Sequence, residues 1–147
     1  MNVVTVRLPG SAQASIRRCA ESAYPHEGCG VLIGGHEKEA VVVQEATSGH
    51  NLWAARLGDR YELDPADILA ADRRARARGL DVVGFWHSHP DHPARPSQFD
   101  SDRAWGDYVY LVVTTVSGGS DELNAFSLEG EGQGLRQIAL ELEGERP

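Results

Sequence analysis

Residues 81–90 read Asp-Val-Val-Gly-Phe-Trp-His-Ser-His-Pro, an apolar stretch that runs straight into two histidines. Asp81 to Trp86 has the composition of a short buried strand, with β-branched and aromatic side chains. Side chains alternate along a strand, so His87 and His89, two positions apart, point to one face. A strand end of this kind can present both imidazoles to a single cation. A polar, proline-rich loop spans residues 88–97, and a short helix is predicted from about Gln98 to Trp105. Asp100 lies eleven residues past His89. Pro90, Pro93 and Pro96 stiffen the intervening loop, which lowers the entropic cost of bringing that carboxylate back to the histidines.

The chain before this strand carries a well-marked helix. Asp64 is its cap, Pro65 its first residue, Asp67 joins its negative end, and Gly79 stops it. Arg73, Arg74, Arg76 and Arg78 crowd the other end, where cations suit the helix dipole. They read as a solvated face, and the net charge of −8 argues against a nucleic-acid surface. Further upstream, Val3 to Leu8 alternates as a half-buried strand does, and Pro9-Gly10 breaks it. Ser11 is the expected cap of a helix to about Ala23, with Ile16, Cys19, Ala20 and Ala23 facing inward. Tyr24-Pro25 ends that helix. Gly28 to Gly34 reads as a buried strand, Gly34-Gly35 as a turn and Ala40 to Glu45 as the next strand. Residues 46–60 read as an exposed loop.

Downstream, residues 108–116, 122–128 and 135–142 read as three strands joined by glycine-rich turns. The order predicts a mixed α/β (α+β) domain, with helices packed against a largely antiparallel sheet. At 147 residues the chain fits one domain, 1–147, large enough to bury a full core. Cys19 and Cys29 form no CxxC pair and suit buried thiols in a reducing compartment. Residues 1–10 show no signal peptide, and no apolar run approaches the roughly 18 residues of a membrane helix. A cytoplasmic protein is the expectation.

Two histidines and a carboxylate, with a fourth position left to water, form the donor set of a catalytic zinc, whereas structural zinc sites are usually closed by four ligands. The lack of thiolate also suits hydrolytic zinc. Glu27, at the entrance to the strand that starts at Gly28, is the candidate general base. Ser97 is placed to cap the short helix, to donate to an oxyanion, or to do both. His26, His36 and His50 read as surface or loop residues. Other readings are weaker. His87-Ser88-His89-Pro90-Asp91-His92 matches the H-x-H-x-D-H pattern of two-zinc hydrolases of the metallo-β-lactamase type. That pattern needs further histidines downstream, and all six histidines here lie at or before residue 92. A cupin would need a glutamate at a spacing this chain lacks, and nothing pairs a base with Cys29.

Together, Glu27, His87-Ser88-His89-Pro90 and Ser97-Gln98-Phe99-Asp100 resemble the JAMM motif of the JAB/MPN metallopeptidases. Pro25-His26-Glu27-Gly28-Cys29-Gly30, Tyr61-Glu62-Leu63-Asp64-Pro65, Gly84-Phe85-Trp86 and Arg95-Pro96-Ser97 are similar to its small bacterial branch. The resemblance runs from about residue 3 to 142. It implies a cytidine-deaminase-like α/β fold and a peptidase or isopeptidase that cuts after the C-terminal Gly-Gly of ubiquitin-like proteins. For the bacterial branch it implies sulfur-carrier partners, as in cysteine, thiamine or molybdopterin synthesis. By the same resemblance His87, His89 and Asp100 bind one zinc per chain, Glu27 is the general acid/base, and Ser97 stabilises the tetrahedral intermediate. No long insertion of the kind that holds a second ubiquitin is evident. Asn51 and Trp53, with loop 88–97, are expected to line a groove for an extended tail that pairs with a strand edge; packing under the loop is the alternative for Trp53. A non-catalytic MPN scaffold is the competing class, but all five motif positions are present here.

Overall fold

The computed structural model describes residues 3–52, 61–128 and 134–143. Its elements are β1 (Thr5–Pro9), α1 (Gly10–Ala23), β2 (Cys29–Glu37), β3 (Ala40–Ser48), α2 (Pro65–Ala77), β4 (Asp81–Pro90), α3 (Gln98–Asp102), β5 (Val109–Val116), β6 (Gly119–Leu128) and β7 (Leu135–Glu143). The strands run in the order β1-β3-β2-β4-β5-β6-β7, and β1 also pairs with β7. The sheet is therefore a closed barrel, where the sequence suggested a sheet simply flanked by helices. The pairs β1/β3, β1/β7 and β4/β5 are parallel. The pairs β2/β3, β2/β4, β5/β6 and β6/β7 are antiparallel. Closure satisfies the edges that an open sheet would leave unpaired.

Both faces of the central strands are covered, which is why they read as continuous apolar runs. On one face, α1 places Ala12, Ile16 and Ala20 in a core that takes residues from all seven strands, including Leu32, Trp86 and Leu111. On the other, Ala71 and Ala75 of α2 pack with Val31, Ile33, Phe85 and Tyr110. The expected inward stripe of α1 is only partly correct: Cys19 is half-buried and packs on the edge of the core. Ser11 is not the cap either. Pro9 holds the N-cap position with no side-chain bond, because β1 runs without a loop into the helix. Helix α2 starts as expected, with the Asp64 carboxylate accepting from Ala66 N at 2.9 Å, and Gly79 leaves it at φ +70°. Its basic end is solvated and paired: Arg74 and Arg78 both reach Glu45, and Arg76 reaches Asp72. None of the described helices is long and apolar enough to cross a membrane.

One glycine fixes how closely the strands near the site approach. A Cβ on Gly30 would lie 1.8 Å from the Thr47 carbonyl oxygen and 2.3 Å from Trp86 Nε1. Those two atoms are themselves joined by a 2.8 Å hydrogen bond. Gly30→Ala should break this contact and destabilise the chain by about 3 kcal/mol, read as a lower midpoint in denaturant. An unchanged midpoint would show that β2 and β3 can separate without penalty.

Candidate metal centre

Strand β4 continues through both histidines to Pro90, so His87 and His89 do share a face. β2 runs antiparallel beside it with Cys29 opposite His87. The register extends beyond β2: Ser88 N donates to Gly28 O at 3.0 Å, and Gly28 N donates to Ser88 Oγ at 2.7 Å. Glu27 is thereby brought opposite His89. It is 3% exposed, and its carboxylate lies in one cluster with the two imidazoles, ligand atoms within 4.8 Å of one another.

Asp100 arrives from the other side. Ser97 and Asp100 form a reciprocal capping box at the start of α3: Ser97 Oγ accepts from Asp100 N at 3.1 Å, and Ser97 N donates to Asp100 Oδ2 at 2.8 Å. The same Oδ2 lies 3.1 Å from His87 Nε2 and 3.2 Å from His89 Nε2. The two Nε2 atoms are 3.2 Å apart. His89 Nδ1 sits 3.2 Å from the Pro93 carbonyl. A carbonyl only accepts, so Nδ1 carries the proton and Nε2 keeps its lone pair for a cation. The Tyr61 ring stacks on His87, centroids 4.3 Å apart at 21°. His87 and Asp100 side chains are 1% and 4% exposed and His89 11%, so the centre opens on the His89 side.

The electrostatics suit a cation. Burial pushes the Asp100 carboxyl up, but His87, His89 and the Ser97 amide outweigh it and hold Asp100 well below the usual carboxylate range. Burial pulls His87 down in spite of Asp100. For His89 burial also acts downward, and its bond to Asp100 more than reverses it. A tetrahedral zinc about 2.0–2.1 Å from each donor would place the donors about 3.3 Å apart. The triangle of Asp100 Oδ2 and the two Nε2 atoms, 3.1–3.2 Å on each side, nearly has that size. The donor set fits a divalent cation with one position left open. Two three-residue sets are thus on offer around the histidines, one with Asp100 and one with Glu27. The Asp100 set has the 3.1–3.2 Å spacing.

Asn51 lies beside Glu27: its Nδ2 donates to Glu27 O and its Oδ1 accepts from Glu62 N, both at 3.0 Å. Trp53 lies outside the described residues. Asp91 has a left-handed backbone at φ +59°, and its carboxylate accepts from Tyr24 Oη at 2.8 and 3.1 Å. His92 is exposed, and the cluster of Glu27, His87 and His89 does not include it. That removes the two-zinc pattern. Burial pushes the Cys29 thiol up to about 12, which leaves it neutral and unsuited to nucleophilic work. His50 pairs with Asp67 at 2.9 Å on the surface. Tyr61, Ser88 and the Pro93 carbonyl took no part in the sequence reading of the site. Their roles depend on which strands and loops meet, and only the alternation of β4, which turns Ser88 away from the histidines toward β2, hinted at any of them. A cavity of about 280 Å³ adjoins Asp100, walled by Tyr61, Phe85, Phe99, Trp105 and Tyr110.

Two imidazoles and a carboxylate converging on one point at a strand mouth, with a second buried carboxylate beside them, define a candidate metal-dependent hydrolytic centre. The chain belongs to the prokaryotic homologs of the JAB domain, whose family profile matches residues 9–129. It is 39% identical over 91 residues to a desampylase of Haloferax volcanii, covering 61% of this chain and 63% of that protein. The chain thus spans just under two thirds of that relative. It is 32% identical over 116 residues to a probable TtuB-protein conjugate cleaving protease of Thermus thermophilus, covering 79% of this chain and 70% of that protein. Among solved structures, a protein from Desulfitobacterium hafniense matches with a TM-score of 0.81 at 25% identity, over 95% of this chain and 94% of that one. A protein from Salinibacter ruber matches at 0.70 and 33% identity, over 100% and 95%.

Proposed function

We propose that the chain is a zinc-dependent peptidase or isopeptidase that cleaves after the C-terminal Gly-Gly of a ubiquitin-like, sulfur-carrier-type protein. The observation that carries this is the convergence of His87, His89 and Asp100 within 3.1–3.2 Å of one another, with buried Glu27 alongside. The names of the two relatives, both cleaving modifier conjugates, support the substrate class. A scaffold without chemistry has no use for a carboxylate buried as deeply as Glu27, because burying a charge is costly. The reading includes one zinc per chain and a cytoplasmic setting.

Bound zinc would supply Lewis acidity and bring the pKa of water to about 7. His87, His89 and Asp100 would hold it. Glu27 takes the attacking water's proton and returns it to the departing amine. Ser97 Oγ accepts from Asp100 N, so its own hydrogen is left to donate to the oxyanion that develops on the substrate carbonyl. A glycine pair has no side chains to hold it away from so enclosed a centre.

The test is incubation of the zinc-loaded protein with two substrates: a sulfur-carrier-type protein extended beyond its Gly-Gly, and the same protein joined through Gly-Gly to a lysine. Mass spectrometry should show a product ending in Gly-Gly. No cleavage of either substrate with zinc bound would overturn the reading. Ser97→Ala should lower kcat by about 10²–10³ and stability by about 1 kcal/mol through the lost cap. A lowered stability with kcat intact would leave Ser97 as a cap alone.

A further inference from the structure

We infer that Asn51 is a positioning residue for Glu27, a clamp that fixes the backbone behind the proton-accepting carboxylate. The inference rests on the reading of Glu27 as that acceptor. Glu27 lies in the connection between α1 and β2, outside any strand or helix. Its segment is therefore held by individual bonds. Ser88 takes both backbone groups of Gly28. The carbonyl of Glu27 itself goes to Asn51 Nδ2.

The clamp is anchored at its far end. Asn51 Oδ1 accepts from Glu62 N, Leu52 N donates to Glu62 O at 2.8 Å and Asp64 N to His50 O at 3.0 Å. Asn51 and Leu63 form an antiparallel bridge. Gly49 N donates to Cys29 O at 2.9 Å, and His50 N to Asp67 Oδ2 at 2.7 Å, on the first turn of α2. Residues 49–52 are thus tied to β2 and to α2 at once. Next to Glu62, Tyr61 stacks on His87, and the Glu62 carboxylate pairs with Arg103, just past α3, at 3.5 Å. One short ladder contacts the segments that carry Glu27, His87 and Asp100. An asparagine that read the substrate would aim its amide at the substrate; here the carbonyl and one N–H engage backbone at 3.0 Å.

Asn51→Asp keeps the acceptor toward Glu62 N and puts an oxygen against the Glu27 carbonyl, so it breaks the Glu27 half of the clamp while keeping the Glu62 half. With a Gly-Gly-extended substrate, kcat should fall by about 10²-fold, the effect of a displaced catalytic group, while KM and bound zinc stay at wild-type values. Without substrate, the Gly28 amide should exchange faster with solvent in the variant. A raised KM with unchanged kcat would overturn the inference and make Asn51 a substrate contact. Unchanged Gly28 exchange would also overturn it. Asn51→Ala, which adds no charge, gives the same readings if Asn51→Asp fails to fold. A wild type inactive on every Gly-Gly substrate would count against the proposed function, and the exchange measurement would then decide the clamp on its own.

Discussion

Glu27→Gln should keep its metal and lose its turnover, with kcat down by about 10²–10⁴-fold, the range for a positioned general base. The substitution is isosteric and removes only the charge, so packing around the buried side chain is preserved. The experiment also decides between the two donor sets the structure offers. Glu27 clusters with His87 and His89, yet Asp100 holds the 3.1–3.2 Å positions against both imidazoles. If Asp100 completes the centre, zinc per chain is unchanged in Glu27→Gln. Loss of zinc would move Glu27 among the ligands, and unchanged turnover would take away its role as base.

His89→Ala should cost the protein its metal. One of three donors disappears, and the remaining pair, His87 Nε2 and Asp100 Oδ2, no longer surrounds a point. Altering the bonding around a metal ligand already costs about 10–100-fold in affinity, so removing a ligand should cost more than about 10²-fold. Two readings check this. Zinc per chain after dialysis should fall from one to none. The wild-type Tm should drop on adding a chelator, since a ligand at 100 times its Kd stabilises by about 2.7 kcal/mol, whereas the variant's Tm should not respond. A variant that kept full zinc would take His89 off the ligand list. Close to two zinc ions in the wild type would count against the single centre, even though Asp91 is engaged with Tyr24.

Much of the site was legible because its parts are local. The two-residue spacing of His87 and His89 sets their common face in any strand. Ser97 and Asp100, three apart at a helix start, are bound to meet as a capping box, and the structure shows both bonds. Helix α2 followed from Asp64, Pro65 and Gly79, which act through their own backbones. Helix α1 was read less well because Ser11 resembles a cap, while the entry from β1 through Pro9 leaves no place for one. Asn51 is expected from the sequence to line a groove for an extended tail. The target of its amide could not be read from the loop, because Glu27 and Glu62 come to it only when three segments meet.

By itself the sequence determined the chemistry available: two imidazoles on one strand face, a carboxylate returned by a stiff loop, no paired thiolates, and strands and helices in their order. The tertiary structure alone decided what stands beside what. It closed the sheet by pairing β1 with β7. It brought Glu27 to the histidines through the bonds between Gly28 and Ser88, which are 60 residues apart. The physical reason is that side-chain periodicity reports which face a residue takes, whereas strand partner and register are chosen by burial and hydrogen bonding summed over the whole sheet.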